Sequence, residues 1–141
     1  MKLSEHFTME ELTRSATAKR LKIENSLSEI VTKNLTTLAT NVLEPLREEF
    51  GKPIIVTSGY RSQALNRAVG GSPTSQHCYG QAADIRTLED TPESNRELFE
   101  CAQRLVKAKK IKVGQLIDEY SYNWVHISTP GSHVNQILHI R

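Results

Sequence analysis

The feature that most constrains the fold is an apolar stripe running from Leu27 to Phe50. Leu27, Val31, Leu35, Leu38, Val42, Leu46 and Phe50 recur at steps of three or four, the spacing that aligns side chains on one face of an α-helix. A helix of that length with one apolar face must bury it against another layer. Ser26 with Glu29 three residues later forms a capping-box pattern and marks the expected start. Pro45 falls inside the stripe and lacks the backbone donor of a helix interior, so a kink or a break into two helices is expected there. Gly51 suits the left-handed residue after a helix, and Pro53 prevents its resumption.

The layer that receives this face comes later in the chain. Ahead of the stripe, Thr8 with Glu11 reads as another capping box, with Phe7 and Leu12 as its hydrophobic staple. This short helix is expected to end near Ser15, and 16–25 has room for one more helical turn. Ile54 to Thr57 is a β-branched run of strand length. A short helix is expected from Ser62 to Val69, ended by Gly70-Gly71, with a loop over 72–76. Ala82 to Arg86 reads as a strand with Asp84 and Arg86 on one face and Ala83 and Ile85 on the other. Thr91 and Pro92 open a helix whose buried stripe is Leu98, Phe99, Ala102, Leu105 and Val106.

Strands are then expected over Gly114–Tyr120, Asn123–Ser128 and Val134–Ile140, the first two joined by a tight hairpin at Ser121-Tyr122. Alternation sets Val125 and Ile127 on one face and Trp124, His126 and Ser128 on the other. Helices gathered early and strands mostly late imply an α+β domain, 1–141, with N-terminal helices packed on a mainly antiparallel sheet.

Bulk properties exclude several classes. At 141 residues, 38% hydrophobic and 24% charged, the chain is long enough for a real core and is not of disordered composition. A formal charge of +2 does not argue for nucleic acid. The cluster Lys107, Lys109, Lys110 and Lys112 lacks interleaved aromatics and reads as a solvated helix end. Two cysteines, Cys78 and Cys101, imply no disulfide framework. No apolar run approaches the ~20 residues that span a bilayer, so membrane insertion is not expected. Met1 to Phe7 shows no apolar core of a signal peptide.

The chemistry concentrates in Ser75-Gln-His-Cys-Tyr-Gly-Gln-Ala-Ala-Asp84. His77 and Asp84 are seven residues apart, and His126 follows 42 positions later in an otherwise apolar strand. An imidazole and a carboxylate suit zinc, and three protein ligands with a fourth position open is the catalytic arrangement. Each residue also has a plainer reading. His77 is then a surface group on a loop, Asp84 a turn residue, and His126 a core histidine satisfied by a hydrogen bond. The spacing is not the two-histidine helical pattern of the zincins.

Ser75-x-His77-x-x-Gly80-x-Ala82-x-Asp84, followed by Trp124-Val125-His126, resembles the zinc D-Ala-D-Ala carboxypeptidase and L-alanyl-D-glutamate peptidase family. Gly59-Tyr60-Arg61-Ser62 is similar to that family's upstream motif, and the resemblance runs from the Leu3-Ser4-Glu5-His6-Phe7 opening to His126. It implies the hedgehog/DD-peptidase fold, as in small bacterial and phage members. It also implies one Zn2+ per chain on His77, Asp84 and His126, and a substrate drawn from peptidoglycan or its peptide precursors. A monomer is expected, cytoplasmic until released and acting at the bacterial cell wall, in the manner of a phage lysin.

Arg61 is implied to face substrate, and Ser75 to hydrogen-bond it or to shape the loop. Many members carry a carboxylate three positions before the last histidine, where this chain has Asn123. Members with a longer hairpin carry it on the preceding strand, and Gln115-Leu-Ile-Asp-Glu119 resembles theirs. Glu119 is therefore the expected general base and Asp118 the alternative. If neither reaches the metal, the chain is a non-catalytic relative that binds wall peptide or a protein partner. His6, His133 and His139 read as structural or surface groups, Cys78 as a passenger, and Trp124 as cleft wall or packing.

Overall fold

The computed structural model describes residues 1–141. Thr8 accepts from the Glu11 N–H to open α1 (Met9–Thr13), and Ser15 accepts from the Ala18 N–H to open α2 (Ala16–Leu21). The second of these is the turn for which 16–25 had room. Phe7 and Leu12 are both buried, as a staple requires.

The apolar stripe becomes a helical run from Glu29 to Phe50, in three parts: α3 (Glu29–Leu38), a π-helical turn (Ala39–Leu43) and α4 (Glu44–Phe50). Its cap is Ser28, not Ser26, because Ser28 Oγ is the atom that accepts from the Val31 N–H. Ser26 serves a long-range contact instead, its carbonyl accepting from the Tyr60 hydroxyl. Pro45 does not break the helix. Proline conflicts with the carbonyl four residues back, and the wider π turn just ahead of it re-registers the hydrogen bonds. Val31, Leu35, Leu38, Val42 and Leu46 are all buried. Truncating one of these leucines to alanine is expected to destabilise the fold by about 2–5 kcal/mol.

Beyond Gly51 come β1 (Ile54–Ser58), α5 (Gln63–Ala68), a 3-10 turn (Gln76–Tyr79), β2 (Ala82–Thr87) and α6 (Pro92–Lys107). Three strands complete the chain: β3 (Gln115–Glu119), β4 (Trp124–Ser128) and β5 (Gln136–Ile140). The sheet runs β1-β2-β4-β3-β5, antiparallel except for β5, which lies parallel to β3. The α+β class with a mainly antiparallel sheet is thus borne out. The last strand is shorter than expected because the stretch before it is spent crossing to the far edge, where Asn135 bonds Val113.

Alternation divides the sheet. Ala83, Ile85, Leu116, Val125 and Ile127 join the helices in one buried core. Asp84, Ile117, Glu119 and His126 occupy the other face and open onto a cavity. The β3–β4 hairpin pairs Glu119 with Trp124. Tyr120, Ser121 and Tyr122 between them all have positive φ, at 52°, 56° and 66°, a run that non-glycine residues adopt only under strong local constraint. Asn95 of α6 supplies part of that constraint, donating from Nδ2 to the Tyr122 and Asn123 carbonyls.

Candidate metal centre

His77 is set by its backbone surroundings. Ser75 accepts from the His77 N–H, and the His77 carbonyl accepts from the Arg61 N–H. Gly80 then ends the 3-10 turn at φ +72°, packed so closely on α3 that a Cβ would lie 2.9 Å from the Val31 carbonyl oxygen. Only glycine satisfies both conditions. The buried His77 ring lies with Nδ1 2.7 Å from the Gly59 carbonyl oxygen. Nδ1 must carry the proton in that bond, so Nε2, turned toward Asp84, is the nitrogen this ring can offer a metal. Gly59 is itself required here, since a Cβ would fall 2.1 Å from the Leu12 carbonyl oxygen.

Asp84 and His126 are cross-strand partners on β2 and β4. Asp84 Oδ1 lies 3.1 Å from His126 Nδ1 and 3.4 Å from His77 Nε2. The two rings are 5.2 Å apart at 66°. Burial pushes the Asp84 carboxyl up, but hydrogen bonds from His126 and His77, with their charge, outweigh it and hold the group well below the usual carboxylate range. One ligand atom from each residue falls within a common 4.8 Å.

Tetrahedral zinc with bonds of roughly 2.0–2.2 Å places neighbouring donors about 3.3–3.6 Å apart. The two measured separations are close to that edge length. Two imidazoles and one ionised carboxylate, with one ring held by a backbone carbonyl, therefore fit zinc with a position left for water or substrate.

The cavity in front of the cluster holds about 520 Å³ and is lined by Arg61, Ser75 and Glu119 as well as the three ligand candidates. The Arg61 guanidinium lies 3.5 Å from Ser75 Oγ, and its buried Nε has no partner. Glu119 projects from β3 on the cavity face, with Oε2 accepting from the Trp124 indole N–H. Asp118 does not reach the cavity. One residue along the strand, it faces the core, is fully buried and bonds His139 of β5, so the alternative base is on the wrong side of the sheet. Asn123 is not among the lining residues.

Three further lining residues are Gln76, Trp124 and His133. Trp124 was legible from its alternation with His126. His133 lines the cavity although a structural or surface group is expected there, and no periodicity in its loop signals that placement. Cys78 is buried outside the lining, and burial pushes its thiol up against a weaker pull from Arg61, which disfavours the thiolate that a nucleophile or ligand needs. The other histidines close on carboxylates elsewhere, His139 on Asp118 and His6 on Glu44.

Residues 5–128 match the family Peptidase M15. The chain belongs to the peptidase M15 family. Within this M15 chain, a stretch of 44 residues is 48% identical to the zinc D-Ala-D-Ala carboxypeptidase of Streptomyces albus G. That stretch is 30% of the chain and only 17% of the relative. The membership bears out the resemblance drawn from the motifs, and the zinc peptidase chemistry which that resemblance implied is the chemistry of the family. No helix of the chain is long and apolar enough to cross a membrane.

Proposed function

We propose that this M15 chain hydrolyses an amide bond in a peptidoglycan stem peptide, with one zinc held by His77 Nε2, Asp84 Oδ1 and His126 Nδ1. The observation that carries the reading is the convergence of these three atoms at one end of a polar cavity that also contains a carboxylate, Glu119, and a guanidinium, Arg61.

Zinc bound there supplies Lewis acidity, acidifying a water and polarising the scissile carbonyl. The chain's own groups do the rest. Glu119 takes a proton from the attacking water and returns it to the leaving amine. Its Oε2 is engaged by Trp124, so Oε1 is the atom that moves the proton. Arg61, with its unpartnered Nε and with Ser75 beside it, grips a substrate carboxylate or carbonyl through charge-assisted hydrogen bonds. The substrate would place the action at the bacterial cell wall or on wall precursors, as in a lysin.

The test is incubation of purified peptidoglycan with the zinc-loaded protein, followed by mass spectrometry of the products. Loss of one alanine identifies D-Ala-D-Ala carboxypeptidase action. A cut after the first L-Ala identifies an L-Ala-D-Glu endopeptidase. No product at any zinc level overturns the reading and leaves a non-catalytic wall-peptide or protein binder, the alternative that Asn123 favours.

A further inference from the structure

Trp124 and Glu119 stand opposite one another at the end of the β3–β4 hairpin, and both side chains line the cavity. A tryptophan indole has a single donor and no acceptor. Here that donor is directed at Glu119 Oε2. The indole ring also packs against Tyr120, with centroids 5.1 Å apart. Trp124 lies two residues before His126 on β4, so the same strand fixes a metal-ligand candidate and the donor to the carboxylate.

A flexible glutamate on an open cavity wall samples several rotamers, and proton transfer needs it in one. Of the interactions Glu119 makes, the bond from Trp124 is the one that selects a rotamer. We infer that Trp124 is a positioning residue: its indole N–H immobilises the Glu119 carboxylate through Oε2 and thereby turns Oε1 toward the metal-bearing end of the cavity. This role rests on the peptidase reading, in which Glu119 is the general base. It also assigns a function to the left-handed run Tyr120–Tyr122, which closes the hairpin so that residues 119 and 124 meet in register.

The chain contains one tryptophan, so both the role and its test can be addressed without background. Replacing Trp124 with benzothienyl-alanine exchanges the N–H for sulfur and keeps the bicyclic ring, so folding and packing are preserved. The zinc-loaded variant is expected to lose about tenfold in kcat, the scale of one hydrogen bond to a charged group, with KM and zinc content unchanged. Trp124→Phe is expected to show the same split of kcat from KM. Independently of turnover, the single indole N–H signal in a 15N–1H spectrum is expected to move upfield in Glu119→Gln.

An analogue with full kcat overturns the inference, as does an indole signal that ignores Glu119→Gln. If the wild type releases no product from peptidoglycan but the indole signal does respond to Glu119→Gln, the contact is real and it is the peptidase reading that has failed. That outcome also removes any catalytic role for Trp124.

Discussion

The two faces of one sheet carry the same pair of side chains and put them to different uses. On the open face Asp84 meets His126 across β2 and β4; on the covered face Asp118 meets His139 across β3 and β5. Both are aspartate–imidazole Nδ1 pairs between register partners. The difference lies in what surrounds them. Asp84 shares its oxygen with a second imidazole, and its cluster borders a cavity. Asp118 is fully buried, its partner ring packs on Phe99 at 5.3 Å, and no third ligand approaches. A histidine–carboxylate pair is therefore not a metal site in itself. It becomes a candidate when a third donor has its other nitrogen already committed, as the Gly59 carbonyl commits His77, and when space remains for a fourth ligand.

Glu44 illustrates a third outcome. Its Oε1 accepts from Ser4 Oγ and the His6 N–H, and its Oε2 faces His6 Nδ1. Those bonds tie the N-terminal segment to the start of α4, and with Glu5 nearby Glu44 and His6 make a second three-residue group of metal-ligand type, its oxygens already engaged by Ser4 and His6.

Substitutions on the two faces should separate in kind as well as in size. Asp84→Asn is expected to abolish turnover of peptidoglycan while the circular dichroism spectrum stays native. Glu119→Gln is expected to lose about 10²- to 10⁴-fold in kcat, the range for removal of a general base, while still binding zinc. Retained activity in Glu119→Gln would remove the base from this account. On the covered face, His139→Ala leaves Asp118 buried without its partner. A stability loss of about 2 kcal/mol is expected, below the full penalty for a buried pair because the His139 ring is half exposed. Urea unfolding measures it, and kcat should not change.

The smallest effect is expected at Glu44, where Glu44→Gln should cost about 1 kcal/mol at neutral pH. Burial raises this carboxyl, but the hydrogen bonds from His6 and Ser4 prevail, so its folded pKa lies below the ordinary 4.5. Its contribution is then complete above that pH and fades as the pH falls through the folded value. The gap between wild type and Glu44→Gln in urea midpoint should accordingly close on acidification; a gap that widens would contradict this assignment.

Much of this was legible in the chain because alternation and helical period are local rules. The period of the Leu27–Phe50 stripe marked the longest helical run, and Thr91-Pro92 marked the start of α6. Alternation about His126 separates Glu119 from Asp118 once the hairpin register is known. What escaped is what depends on distant partners. The cap falls at Ser28 and not at Ser26, whose hydroxyl donates to Glu24 and whose carbonyl accepts from the distant Tyr60. The π turn before Pro45 leads into Glu44, whose partners are about 40 residues away. The parallel pairing of β5 and the placement of His133 at the cavity both follow from a loop with no periodicity of its own.

On the proposed function the metal belongs to the open-face cluster and not to its counterparts. Zinc content after dialysis, measured on folded wild type, Asp84→Asn, Asp118→Asn and Glu44→Gln, tests it most directly. One zinc per chain is predicted for wild type, Asp118→Asn and Glu44→Gln, and essentially none for Asp84→Asn. Zinc that survives Asp84→Asn, or that disappears with Asp118→Asn, would contradict it.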